Sequence, residues 1–151
     1  MKVGGGRKIR KEIPMQYIYE RLEVWKKAVD FAINVLRALA GADENDDNKR
    51  LFDEIEVSAI NIATSIAKGK ACKSRDDFIF HLYLSRRSLY ETMTLLEILR
   101  RNRILSNEQY TTFELSGQEI TSMLVRLIRS MKASATDGRN QAELKLANSC
   151  P

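Results

Sequence analysis

The chain has 151 residues, and its 25 lysines and arginines outnumber its 20 acidic residues, which gives a formal net charge of +5. This length suits one domain with a sizeable core. No apolar run approaches the ~20 residues of a membrane-spanning helix, and the basic N-terminus lacks the apolar segment of a signal peptide. The two cysteines, Cys72 and Cys150, form neither a disulfide framework nor a zinc motif. We therefore expect a cytoplasmic protein with no membrane partner.

Apolar periodicity predicts four long helices. Between Pro14 and Pro151 the sequence contains no proline, which is the strongest helix breaker. Apolar residues recur there at steps of three and four, the period of amphipathic helices. In chain order the stripes run from Leu22 to Leu39, from Phe52 to Ile66, from Leu82 to Leu99 and from Tyr110 to Met131. Stripes of this kind predict an all-α, up-down-up-down antiparallel four-helix bundle.

The predicted organisation has three parts. Residues 1–20 form a basic N-terminal arm, residues 21–131 form the four-helix bundle, and residues 132–151 form a flexible polar tail. The arm is rich in glycine and basic residues, and the tail has only scattered apolar side chains without a full stripe. Because such segments bury little apolar surface, we expect both ends to be mobile.

The stretch "IATSIAKGKACKSRDDF" has a Gly-Lys pair but does not match a phosphate-binding loop. The motif requires an earlier glycine where this chain has Thr64, and a Ser or Thr where it has Ala71. We predict instead that Gly69 ends the second helix in a left-handed conformation and that Ser74 caps the third. Later in the chain, Ser106 begins a capping box at the start of the fourth helix.

Four segments together resemble a known bacterial family. They are "LEVWKKA", "INIATSIAKG", "DDFIFHLYLSRRSLYE" and "LLEILRRNRILSNEQY". They look like the four-helix bundle family named for open reading frames in intervening sequences of 23S rRNA genes, over about residues 19–132. The resemblance implies a homopentameric ring, so that the chain is its own partner. A related branch, the accessory variability determinant of diversity-generating retroelements, implies RNA or DNA and a reverse transcriptase as further partners. Two departures from the family pattern, Lys68 and Arg87, add positive charge.

Charge is unevenly distributed along the chain. The segment 68–103 has nine basic residues against four acidic ones, whereas 43–56 has seven acidic against two basic. Such polarisation favours a local interaction with a polyanion. The basic residues also fit an ordinary solvated surface with scattered salt bridges. The hypothetical nucleic-acid-binding residues are Lys68, Lys70, Lys73, Arg75, Arg86, Arg87, Arg100, Arg101 and Arg103.

The third helix has more apolar surface than a single bundle needs. It begins with "FIFHLYL", which is apolar nearly all round, whereas a helix wet on one side is polar there. Extra apolar surface of this kind indicates contact with a partner. The hypothetical oligomer interface contains Ile79, Phe80, Tyr83 and Leu84.

No residue pattern indicates catalysis. His81 is the only histidine and lies in an apolar stretch, so we expect a packing or interface role. Cys72 is flanked by basic residues, which favours a somewhat reactive surface thiol. The Glu-x-x-His motif of di-iron bundles is absent, and we assign no catalytic residue, cofactor or metal. We predict a non-enzymatic, weakly sequence-specific nucleic-acid-binding or ribonucleoprotein accessory scaffold. The alternative is a structural or protein–protein interaction ring with no nucleic-acid role.

Overall fold

The computed structural model describes residues 17–42, 45 and 47–147. A short 3-10 helix, Ile18–Arg21, is followed by four α-helices. They are α1 (Glu23–Ala40), α2 (Lys49–Ala71), α3 (Arg75–Arg101) and α4 (Asn107–Ala147). The described part of the chain contains no strand, so the all-α prediction is confirmed. Most of the predicted arm and the last residues of the predicted tail lie outside the described residues.

Helices α2 and α3 are joined by hydrogen bonds across the core. The Ser85 hydroxyl donates to the Ile62 carbonyl at 2.8 Å, and the Thr92 hydroxyl donates to Ser58 Oγ at 2.8 Å. Residue numbers rise along α3 as they fall along α2, which shows that the two helices are antiparallel. The predicted third stripe is confirmed, and its two polar members are buried because their hydroxyls have partners.

The other helices complete the bundle around one apolar core. Phe31 of α1 meets Phe113 of α4 edge-on, with ring centroids 5.9 Å apart, and Lys27 pairs with Glu119 at 3.1 Å. These contacts show that α1 and α4 are also antiparallel. Within the described residues the backbone of each helix lies close to those of two neighbours, and the backbones of the diagonal pairs α1/α3 and α2/α4 stay farther apart. The four-helix bundle is thus a closed square of contacts.

The core-facing side of α1 differs from the predicted stripe. Leu22, Trp25 and Val29 are only partly buried, and Trp25 packs at the edge of the core. The fully buried positions are Val24, Ala28, Phe31 and Val35, together with Ala32 and Leu39. Because α1 is apolar on two adjacent flanks, helical periodicity alone placed the stripe about one position away from its observed centre.

Gly69 has a different role from the one predicted. It is buried inside α2, which continues to Ala71, and no described glycine has a positive φ. A Cβ at this position would lie 2.5 Å from His81 Cβ and 2.8 Å from Phe78 Cδ2. Gly69 is therefore required by the close approach of α3 rather than by a left-handed helix end. The prediction for Ser74 is confirmed, because its Oγ accepts a hydrogen bond from the Asp77 amide at 3.2 Å.

The turn between α3 and α4 is built from two capping motifs. The Ile104 amide donates to the Leu99 carbonyl and the Arg103 amide to that of Arg100, both at 3.0 Å. This is a Schellman motif, with Arg103 at a positive φ of 58° where glycine is usual. The predicted capping box follows. The Gln109 amide donates to Ser106 Oγ at 3.1 Å, and the Ser106 amide donates to Gln109 Oε1 at 3.0 Å.

Helix α4 is longer than predicted. The sequence predicted a polar tail from residue 132, but α4 continues to Ala147. The reason is local, since residues 132–147 contain no proline and are rich in alanine and other good helix formers. At ~1.5 Å per residue, α4 spans ~60 Å whereas α3 spans ~40 Å. Helix α4 therefore runs past the predicted boundary at residue 132, and the three-part organisation and the mobility of this segment stay predictions.

Two glycine-to-alanine substitutions test the close approach of α2 and α3. Gly69→Ala should lower the free energy of unfolding by about 1–3 kcal/mol, because its Cβ would force Phe78 and His81 apart. Gly138→Ala is the matched control, since nothing lies within 4 Å of its Cβ position. This change should raise helicity and stability by up to about 1 kcal/mol. Urea unfolding followed by circular dichroism measures both, and an undiminished stability of Gly69→Ala would contradict the close approach.

Candidate nucleic-acid interface

The first four predicted basic residues lie together at the junction of α2 and α3. We call Lys68, Lys70, Lys73 and Arg75 the basic turn. Lys68, Lys73 and Arg75 are exposed, and no ion pair holds them within the described residues. The close packing of α2 and α3 fixes the position of this short connection. The backbone of the basic turn is therefore held in place, and its exposed cations can bind an anion from solvent.

Aromatic rings hold two other predicted cations. Lys70 Nζ lies 5.3 Å from the centre of the Phe78 ring. The Arg86 guanidinium lies 5.0 Å from the Tyr83 ring and 5.9 Å from the Tyr90 ring. Cation–π contacts of this kind orient the side chain and leave its positive charge intact. Both residues therefore keep the charge that a phosphate contact requires.

A single carboxylate, Glu97, binds two of the three predicted cations at the far end of α3 and offsets part of their charge. Glu97 accepts two hydrogen bonds from Arg100, each at 2.6 Å, and one from Arg101 at 2.8 Å. These bonds lower the pKa of Glu97 to about 2 and raise that of Arg100. Arg100 also donates to Asn107 Oδ1 at 3.0 Å and lies over the Tyr110 ring. We call Glu97, Arg100 and Arg101 the carboxylate clamp.

The structure divides the predicted nucleic-acid-binding set into separate groups. Arg75 and Arg100 are 25 positions apart on one helix, which places them ~38 Å apart along its axis. Arg87 is exposed between them, and Arg103 is exposed in the Schellman turn. The basic turn lies at the start of α3, Arg86 and Arg87 lie near its middle, and the carboxylate clamp lies at its end. A single short ligand therefore cannot contact all nine residues.

One predicted oligomer-interface residue lies in the core, and the other three lie on the surface side of α3. Ile79 is only 9 % exposed and belongs to the core of this chain. Phe80 is 59 % exposed, and Phe80 and Tyr83 line the open groove between α3 and α4. Leu84 is half-buried and lies about 100° around the helix from Tyr83. Within 60° of Leu84 lie Leu95 and Ile98, and we call these three residues the outer strip.

Sequence reasoning missed the groove between α3 and α4. One section, of about 470 Å³, is lined by Phe80, Tyr83, Lys132 and Arg139, among others. Lys132 donates from Nζ to the Tyr83 hydroxyl at 2.8 Å, and this bond lowers the pKa of Tyr83. Both basic residues belong to the segment that was predicted to be a flexible tail. The missed signal was the absence of proline between residue 131 and Pro151.

Neither His81 nor Cys72 belongs to a recognisable reactive centre. His81 Nδ1 is buried without a hydrogen-bond partner, beside the point where Gly69 meets α3. Cys72 Sγ donates to the Lys68 carbonyl at 3.4 Å. In the described segments no three histidine, cysteine or acidic side chains are grouped as metal ligands would be. None of the helices described is long and apolar enough to span a bilayer.

A comparison with family models identifies the family. The model described as 23S rRNA-intervening sequence protein matches residues 20–126. The chain belongs to the 23S rRNA-intervening sequence protein family. This confirms the resemblance seen in its sequence. The match covers α1, α2, α3 and the first part of α4, and it leaves the remainder of α4 outside.

A solved structure has the same fold. It is a 1.70 Å crystal structure of a protein of unknown function from the S23 ribosomal protein family of Bacteroides thetaiotaomicron. The two chains share 26 % identity with a TM-score of 0.63, over 70 % of this chain and 97 % of that chain. Curated proteins provide no significant match. The family match ends at residue 126, so Lys132 and Arg139 lie beyond it.

The carboxylate clamp predicts a specific pH dependence. The pKa of Glu97 is about 2 in the folded protein, against an ordinary value of 4.5. Its contribution to stability is therefore present above pH 4.5 and is lost as the pH falls toward 2. Glu97→Gln should reduce the loss of stability between pH 4.5 and pH 2. Melting temperatures determined between pH 2 and pH 7 measure this loss. The control Glu91→Gln, at an exposed position outside the clamp, should keep the wild-type slope. Parallel curves for wild type and Glu97→Gln would contradict the clamp.

Proposed function

We propose that this protein is a non-enzymatic, oligomeric four-helix bundle that binds nucleic acid with weak sequence specificity. The observation that carries this proposal is the basic turn, with three exposed cations that have no carboxylate partner among the described residues. Flexible lysines suit contacts with phosphates, which position a nucleic acid without reading its sequence. The basic turn is too short to act as a recognition element in a groove.

Family membership supports the same proposal. The family takes its description from an intervening sequence of 23S rRNA, and the solved neighbour is assigned to a ribosomal protein family. Those descriptions concern the family and the neighbour. For this chain they favour a partner that contains RNA. The short segment from Lys68 to Arg75 is also where the structure leaves the most cationic groups free, so the location and the partner are consistent.

A matched pair of triple variants tests the basic turn. Replacing its three exposed cations by glutamine should weaken RNA binding and make the salt slope shallower by up to about 3, because each phosphate contact releases about one counterion. The substituted residues are Lys68, Lys73 and Arg75. The control removes the same charge at the opposite end of the bundle, at Arg37, Lys49 and Arg50. Fluorescence anisotropy of labelled RNA across a salt series measures both.

The outcomes of this test are distinct. Equal weakening by the two triple variants would show that net charge alone governs binding and would contradict the proposed location. Absence of binding by the wild type at low salt would remove the nucleic-acid function. In that case the alternative, a ring that contacts only proteins, would take its place.

Assembly is the second part of the proposal. The outer strip places three apolar side chains on one face of α3, and Ile98 is 40 % exposed. On α2, Val57 is 59 % exposed. Apolar surface of this kind on an otherwise charged protein favours contact between copies. A repeated weak site in a ring, five-fold by the family resemblance, would raise the avidity for a long polyanion.

A charge placed in the outer strip tests the assembly. The wild type should show several times the 17.3 kDa of one chain in light scattering after size exclusion. Leu84→Glu should shift it toward the monomer, because the interface would bury an unpaired charge. Leu115→Glu is the control, since Leu115 is 64 % exposed on another helix. Ile79 is unsuitable because it belongs to the core. A wild-type monomer at micromolar concentration would contradict the proposal.

A further inference from the structure

The groove between α3 and α4 carries cations at one end, cations with aromatic rings in its middle section, and aromatic rings further along. At one end Arg75 and Arg139 line it together. In the middle Phe80 and Tyr83 face Lys132. Further along, a section of about 530 Å³ is lined by Tyr90 and Met93, among others. Acidic residues are present too, at Asp76 and Glu114, but the cations are more numerous. We call this feature the aromatic groove.

The rings of the aromatic groove differ in their availability. Tyr83 already has two cationic neighbours, Arg86 at 5.0 Å and Lys132 at 5.2 Å from its ring centre. Phe80 and Tyr90 are 59 % and 53 % exposed. They are ten positions apart on α3, which corresponds to ~15 Å along the helix. The Tyr83 ring is therefore already in contact with two cations. The Phe80 and Tyr90 rings have exposed surface on which a planar group can stack.

This chemistry favours a single strand over a duplex. Stacking of unpaired bases on aromatic rings, with phosphates held by nearby cations, is how proteins bind single-stranded nucleic acid without strict sequence preference. A duplex hides the faces of its bases, so it would leave Phe80 and Tyr90 without partners. A second copy of the chain that covered the rings would also have to remove Arg86, Lys132 and Arg139 from water. The arrangement of rings and cations therefore complements a flexible polyanion with planar groups.

We infer that the aromatic groove binds single-stranded nucleic acid, with unpaired bases stacked on Phe80 and Tyr90 and phosphates on Arg86, Lys132 and Arg139. The inference rests on the proposed nucleic-acid function and specifies its ligand. The basic turn continues into the groove through Arg75, so one strand can follow both. Lys132 and Arg139 lie beyond the family match, which ends at residue 126, so the extension of α4 supplies the α4 side of the cationic sections of the groove.

Three probes of equal phosphate number separate base stacking from phosphate binding. They are a short labelled single-stranded RNA, a duplex of the same sequence and a single strand lacking its bases. The wild type should bind the single-stranded RNA most tightly, and 2-aminopurine in that strand should lose fluorescence as it stacks. Replacing both Phe80 and Tyr90 by leucine should weaken its binding by about fivefold or more for each ring. The same variant should leave the affinity for the other two probes unchanged.

Controls distinguish the possible failures. Leu115→Ala removes an exposed apolar side chain elsewhere on the surface and should bind all probes as the wild type does. Circular dichroism should show an unchanged fold for the leucine variant, because both rings are more than half exposed. Equal affinity of the wild type for all three probes, or an equal loss for all three in the variant, would overturn the inference and leave the proposed function intact. Binding to none of the probes would overturn both.

Discussion

The close packing of α2 on α3 is the contact on which the rest of the structure depends. Gly69 allows the helices to meet near the Cβ of His81, and two buried hydroxyl bonds, from Ser85 and Thr92, hold the same pair farther along. A buried hydrogen bond contributes about 1 kcal/mol, but an unpaired buried hydroxyl costs more. These polar groups therefore select one relative register of α2 and α3. That register sets the place of the basic turn, which is the direct connection between them.

The firm packing on one side of α3 leaves the other side available. Helix α4 contacts α3 less closely, and an open groove runs between them. Side chains do not fill this groove. The hydrogen bond from Lys132 to the Tyr83 hydroxyl crosses it at the rim. A helix that is held on one flank and open on the other can present side chains without deforming the core. The outer strip, the basic turn and the aromatic groove are three such surfaces of the same helix and its N-terminal connection.

The positive charge available to bind a ligand differs from the number of basic residues in the sequence. The segment 68–103 contains nine basic residues, but two of them, Arg100 and Arg101, are paired with Glu97 in the carboxylate clamp. The cations without carboxylate partners are concentrated toward the opposite end of α3. Helix α4 then adds Lys132 and Arg139 to that end. The result is a local positive region on a bundle that is nearly neutral overall, which is the condition for a salt-sensitive contact with a polyanion.

The sequence by itself determined the helices, the starts of α3 and α4, and the family, because these follow from local periodicity, capping residues and a recognisable order of motifs. Ser74 and the Ser106–Gln109 box were predictable since capping involves residues only a few positions apart. The tertiary structure alone decided which flank of α1 faces the core, why Gly69 is a glycine, and that Glu97 pairs with both Arg100 and Arg101 while Lys132 reaches Tyr83. These depend on which surfaces of separate helices meet, and on which of several possible partners a flexible side chain selects. Helical periodicity gives the spacing along one helix and carries no information about its neighbour.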